Sequence, residues 1–255
     1  MRSNRVRQNL LEGKATIGCF MGLGSPNVAE LLAHAGFDWL VIETEHNGLD
    51  SAEIEHMLMA INGTETVPLV RIPSSEPVFI QRALDMGALG IVVPLVRTAD
   101  EARAIVRATR YPPLGSRSFG PLRASHYGRD NADYLARAND QLLVVLILET
   151  KEAVDHLEDI IAVPGVDALY LGPFDLCLSL GLDPMQQPYP EIEAIAMRAV
   201  TLCRQYGKAM GMGAGSPDDL RSRRAQGVTM LGYGTDYSLL MNTARAGITA
   251  FQGER

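Results

Sequence analysis

Short, almost wholly apolar runs alternate along this chain with longer stretches whose apolar positions recur at three and four. The apolar runs are ATIGCF (15–20), FDWLVIE (37–43), VPLVRI (67–72), GIVVPL (90–95), LLVVLILE (142–149), ALYLG (168–172), KAMGM (208–212) and TMLGYG (229–234). Between them lie amphipathic segments such as NVAELLAHA, AEIEHMLMAI, DEARAIVRAT and EIEAIAMRAVTLCRQY. Near-continuous hydrophobicity suits strands covered by helices on one side and by a filled interior on the other. Strand–helix alternation implies right-handed crossovers and a parallel sheet. Eight such units in about 250 residues is the size of a (β/α)8 TIM barrel. An open doubly wound sheet is the alternative, but it carries a glycine-rich phosphate turn after its first strand, and GCFMGLG lacks that spacing. No linker or composition shift divides the chain, so residues 1–255 are predicted to form a single barrel domain.

Composition adds exclusions. The 255 residues are 47% hydrophobic and 21% charged, enough for a large core. The net charge is -7 and no basic stripe is present, which argues against nucleic acid as a partner. No apolar run reaches the length of a membrane span. The N-terminal MRSNRVRQNLLEG lacks the apolar stretch of a secretory signal and reads as a short amphipathic helix. Cys19, Cys177 and Cys203 are odd in number and far apart, so neither a zinc spacing nor a disulfide framework follows, and a reducing cytoplasm is expected.

In a barrel the C-terminal strand ends converge on one face, where active sites sit. Here those ends supply Glu43, Glu45 and His46 after the second strand, Arg71 after the third, Glu149 after the fifth and Asp175 just after the sixth. Glu149 and Asp175 end adjacent strands. Their carboxylates suit a hard divalent ion such as Mg²⁺ or Mn²⁺, or an acid–base pair; alternatively each caps a following helix. His46 is a candidate base by its ordinary pKa, or a polar loop histidine. Arg71 closes an apolar strand and therefore needs an anion, either a developing negative charge or a salt bridge to Glu43 or Glu45. The long segment PPLGSRSFGPLRASHYG is expected to cover the site, which brings His126 into consideration. Glycines in GMGAGSP and GYGTD fit either a phosphate cradle or tight turns.

With these residues assembled, the sequence resembles the metal-dependent pyruvate aldolases of the HpcH/HpaI type, over nearly the whole chain. The likeness rests on GFDWLVIETEH, VPLVRI, RALDMGALGIVVPLV, YPPLGSRSFG, LETKEAVDHLEDI and LGPFDLCLSLG. It implies a barrel of the phosphoenolpyruvate/pyruvate type, with Glu149 and Asp175 as ligands of Mg²⁺, Mn²⁺ or Co²⁺. It further implies His46 as base, Asp85 raising that histidine's basicity, and Arg71 stabilising an enolate. The implied reaction is reversible cleavage of a 4-hydroxy-2-keto acid to pyruvate and an aldehyde. Lys14, Lys151 and Lys208 are the only lysines and none closes a strand, which agrees with a route that needs no Schiff base.

The chain also departs from the family pattern. Glu43-Thr44-Glu45-His46 stands where the family commonly has Asp-Gly-Glu-His. Ile147 replaces a substrate-contacting glutamine, Phe174 replaces a small residue before the metal aspartate, and RSFG replaces a more glycine-rich sequence. Ile147 and Phe174 are therefore expected to line a drier substrate pocket. Oxaloacetate decarboxylation, citramalyl-type cleavage and a keto-acid-binding barrel without turnover are the competing functions. The C-terminal YSLLMNTARAGITAF carries Leu239, Leu240, Ala244 and Ile248 on one stripe. With the resemblance, this stripe implies a homotrimer or homohexamer.

Overall fold

The computed structural model describes residues 1–253. Eight parallel strands close into one barrel in chain order, with β8 returning to pair with β1. They are β1 Thr16–Met21, β2 Trp39–Glu43, β3 Val67–Arg71, β4 Gly90–Val93, β5 Leu143–Leu148, β6 Ala168–Leu171, β7 Ala209–Ala214 and β8 Met230–Thr235. The expected (β/α)8 architecture is the one observed.

The strand sequences explain how the barrel fills. Side chains alternate across a strand with a period of two. In β2, Trp39 and Val41 belong to the interior cluster, whereas Leu40 and Ile42 pack beneath the outer helices. The same alternation places Val67 and Leu69 of β3, Leu143, Val145 and Ile147 of β5, and Ala168 and Tyr170 of β6 inside. Trp39 and Tyr170 meet edge to face with ring centroids 6.4 Å apart, and Phe20 joins them at 5.3 Å from Tyr170. The N-terminal helix Arg5–Leu11 adds Val6 and Leu10 to this cluster and closes the barrel's lower end. Asn4 fixes that helix by accepting from Arg7 N–H and donating to the Leu89 carbonyl.

The amphipathic segments form the outer ring, including Pro26–His34, Ser51–Ile61, Ala99–Thr109 and Pro190–Gln205. Asp50 with Glu53, and Thr98 with Glu101, make reciprocal capping boxes that set two of the helix starts. The fourth apolar run stops as a strand at Val93 because Pro94 has no N–H to continue the ladder, and Leu95 then turns with φ 56°. The last helix, Asp236–Gly253, is anchored where buried Asp236 accepts from the Gly22 and Leu23 N–H groups. Beyond that anchor Leu240, Met241 and Ile248 are more than half exposed. Among the described residues no helix is long and apolar enough to cross a membrane.

Candidate active site

The interior stripes that fill the barrel run upward into charge. Val41 is followed two residues on by Glu43, Leu69 by Arg71, and Ile147 by Glu149, so each charged group inherits the inward direction of an apolar one. Glu43 and Arg71 are register partners across β2 and β3. Arg71 Nη1 donates to Glu43 Oε2 at 3.1 Å, while Nη2 forms a close ion pair with Glu45 Oε2 and lies 3.7 Å from Glu149 Oε2. The contact to Glu45 is one of charge without hydrogen-bond direction, since Glu45 Oε2 has no hydrogen-bond partner among the described residues. Arg71 Nε is likewise buried and unpartnered. Glu43 Oε1 accepts from the Glu45 and His46 N–H groups and so shapes the turn that carries both residues. The second strand's run of acids is thus the frame around Arg71.

Glu149 is only 2% exposed. Its Oε1 accepts from Leu95 N–H at 2.5 Å, an alignment made by the left-handed turn at Leu95. Burial pushes the Glu149 carboxyl up to about 7, with Glu45 and Asp175 adding to the rise and the Leu95 hydrogen bond and Arg71 opposing it. Glu45 is raised as well, chiefly by burial, with Arg71 and His46 opposing. Helix capping does not account for either member of the pair. Thr150 caps the helix after Glu149, and Asp175 lies in the first turn of Pro173–Ser179 without a capping bond.

A cavity of about 750 Å³ opens above these groups, lined by Glu43, His46, Arg71, Ile147, Glu149, Phe174 and Asp175. Ile147 is 4% exposed on the inner wall and Phe174 is 55% exposed at the mouth, so the two departures from the family pattern flank the acids. His46 sits at the rim, 62% exposed, with Nε2 3.4 Å from Glu45 Oε2. No lysine lines the cavity. Gly213, Gly215 and Gly234 form part of the wall.

The donor set fits a hard divalent cation. Glu149 and Asp175 offer oxygen donors to one cavity, and burial raises the Glu149 and Glu45 carboxyls in spite of the Arg71 guanidinium beside them. Gly172 makes room for the Glu149 side chain, because a Cβ there would lie 2.8 Å from Glu149 Cβ and 2.9 Å from Oε2. Among the described residues no three His, Cys, Asp or Glu side chains form a metal cage, so two protein ligands would leave coordination positions open.

Two sequence expectations go elsewhere within the single chain. Asp85 does not meet His46; it accepts from Arg117 Nη2 at 2.6 Å. Arg117 is fully buried and also stacks on Tyr111, its guanidinium carbon 4.6 Å from the ring centroid. The segment from Tyr111 to Asp130 therefore packs against the end of helix Pro77–Asp85 and contributes nothing to the cavity lining. His126, expected near the site, pairs with Asp130 and lines a separate cavity with Met1 and Arg2. Conversely, the floor residues Phe20 and Tyr170, and the rim group of Glu193, Asp219 and Arg223, were not foreseen. Period-two alternation in ALYLG could have flagged Tyr170.

Comparison with known proteins gives the family. The family model described as HpcH/HpaI aldolase/citrate lyase matches residues 16–243. A 4-hydroxy-2-oxo-heptane-1,7-dioate aldolase of Shigella sonnei is 40% identical over 245 residues, covering 95% of this chain and 93% of the relative. A hydroxypyruvate/pyruvate aldolase of Roseovarius nubinhibens is 39% identical over 247 residues, covering 95% of each. The crystal structure of an HpcH/HpaI aldolase/citrate lyase family protein from Burkholderia cenocepacia superposes with a TM-score of 0.91 at 36% identity, covering 98% of this chain and all of the other. With a closed barrel, inward acids around one arginine and this match along nearly its full length, the chain belongs to the HpcH/HpaI aldolase/citrate lyase family and is a lyase of the aldolase kind.

Proposed function

We propose that this enzyme reversibly cleaves 4-hydroxy-2-keto acids to pyruvate, or a related 2-keto acid, and an aldehyde. The observation that carries the reading is the buried Glu149 carboxylate on the same cavity as Asp175, with the Arg71 guanidinium 3.7 Å from it. Glu149 and Asp175 are assigned as the ligands of a divalent cation (Mg²⁺, Mn²⁺ or Co²⁺). When bound, that ion supplies Lewis-acid polarisation of the 2-keto group.

The chain's own groups divide the remaining work. His46 Nε2, exposed at the mouth, takes the proton of the C4 hydroxyl, directly or through water. The C4–O pair then forms the aldehyde carbonyl, the C3–C4 bond breaks, and its electrons pass to C2–O as an enolate. Arg71, held by Glu43 and Glu45, places positive charge beside that developing oxyanion. Protonation at C3 completes pyruvate, and synthesis reverses each step. Within one chain the carboxylate beside His46 is that of Glu45, so Glu45 is the group positioned to tune it. Ile147, whose side chain reaches up to Gly172 at the level of the acids, and Phe174 at the mouth make the wall apolar, which favours small or apolar aldehydes over polyhydroxylated ones. The exposed stripe on Asp236–Gly253 suits burial in a homotrimer or homohexamer. A retro-aldol assay that detects pyruvate, with and without metal, tests the assignment; oxaloacetate decarboxylation without aldol cleavage would redirect it.

A further inference from the structure

The cavity floor holds a polar atom that the reaction above does not use. Tyr170 stands opposite Ile147 in the β5–β6 register, one pleat repeat below Gly172 and therefore roughly 6–7 Å beneath the level of the acids. Its ring is 7% exposed and packs edge-on against Phe20 and Trp39. Two glycines make the space it occupies: a Cβ on Gly211 would lie 2.3 Å from the ring, and a Cβ on Gly232 would lie 2.1 Å from the phenol oxygen. No side chain or backbone group among the described residues hydrogen-bonds that oxygen, which is not one of the buried unpartnered atoms, and Tyr170 lines the cavity. Burial pushes the phenol's pKa up, with Cys19 adding and Arg71 opposing, so the O–H remains a donor throughout the neutral range. Phenylalanine would meet every packing need here. The hydroxyl therefore offers a donor to whatever oxygen reaches the cavity floor, in place of the water it would otherwise bind.

We propose that Tyr170 is a specificity-determining contact for the donor keto acid, its hydroxyl donating to an oxygen of that ligand. The depth of the residue selects the ligand. The aldehyde half is worked on at the mouth beside His46, whereas the keto acid lies against the buried Glu149. Two oxygens of the keto acid could accept: a carboxylate oxygen, present in every donor, or a hydroxyl on C3, present only in some. The inference rests on the aldolase reading for its ligand class.

Tyr170→Phe keeps the ring and removes only the donor. Pyruvate and a 2-keto acid bearing a C3 hydroxyl are compared as donors with one fixed aldehyde, and binding of each is titrated calorimetrically on wild type and variant. The expected result is a KM and dissociation constant raised roughly 3- to 10-fold, with kcat changed less and Tm unchanged or higher. Loss for both donors assigns the contact to the carboxylate; loss for the hydroxylated donor alone assigns it to the C3 hydroxyl. Unchanged binding of both would overturn the proposal, leaving water as the partner. A Tm drop of several degrees would also overturn it, by showing that the hydroxyl serves the fold. If wild type forms no carbon–carbon bond with any donor, the aldolase reading fails, while the titrations still decide whether Tyr170 binds keto acids.

Discussion

Replacing Glu149 by Gln should make the metal-free protein more stable above neutral pH while removing its chemistry. Burial lifts the Glu149 carboxyl from its ordinary value near 4.5 to about 7. Because the folded-state pKa lies above the unfolded one, the unfolded chain gives up its proton first as pH rises. The penalty is nearly absent below pH 4.5, grows between about 4.5 and 7, and is fully present above 7. One pKa unit corresponds to about 1.4 kcal/mol, so the ionised side chain costs on the order of 3 kcal/mol at pH 8. Glutamine keeps an oxygen for the Leu95 N–H and removes the charge. For a chain of this size the gain translates to a Tm increase of roughly 5–10 °C. Thermal unfolding in EDTA at pH 5 and pH 8 measures it: the variant should gain a degree or two at most at pH 5 and several more at pH 8. A variant no more stable than wild type at pH 8 would refute the claim that an uncompensated buried carboxylate waits there for a cation.

Four further outcomes follow from the same geometry. Millimolar Mn²⁺ should raise the Tm of wild type at pH 8 and leave Glu149→Gln unmoved; equal shifts would place the ion elsewhere. Arg71→Ala should lower kcat for retro-aldol cleavage by roughly 10²–10³ and depress proton exchange at the pyruvate methyl, whereas His46→Ala should spare the exchange; NMR deuterium uptake separates them. Asp85→Ala strips the fully buried Arg117 of its carboxylate and should cost about 3 kcal/mol of stability, measured by urea unfolding; intact stability with a shifted pH–rate profile would instead make Asp85 a partner of the base. Light scattering should give a multiple of the chain mass, and a sharp monomer peak at micromolar concentration would refute the role given to the exposed stripe of the last helix.

The sequence made the barrel legible because each strand carries its own evidence. The alternation that buries Trp39 and Val41 also delivers Glu43 to the interior, and the same count from Leu69 and Ile147 reaches Arg71 and Glu149. Those groups are local consequences of strand direction. Asp85 and His126 are different. Asp85 is taken up by buried Arg117 of the segment 111–130, and His126 lies on that same segment, so their partners depend on a long connection that carries no periodic signal. Tyr170 was hidden for a related reason. Its hydroxyl has significance only because Gly211 and Gly232 leave room, 41 and 62 positions further along the chain.

Carbon–carbon cleavage beside Arg71 is proposed to depend on a cation held by Glu149 and Asp175. Its most direct test is pyruvate release from a 4-hydroxy-2-keto acid by wild type, Glu149→Gln and Asp175→Asn, each stripped with chelator and then given Mg²⁺, Mn²⁺ or Co²⁺. Stripped wild type should be inactive, metal should restore it, and neither variant should recover. Undiminished turnover by the stripped enzyme, or full recovery by either variant, would contradict that dependence.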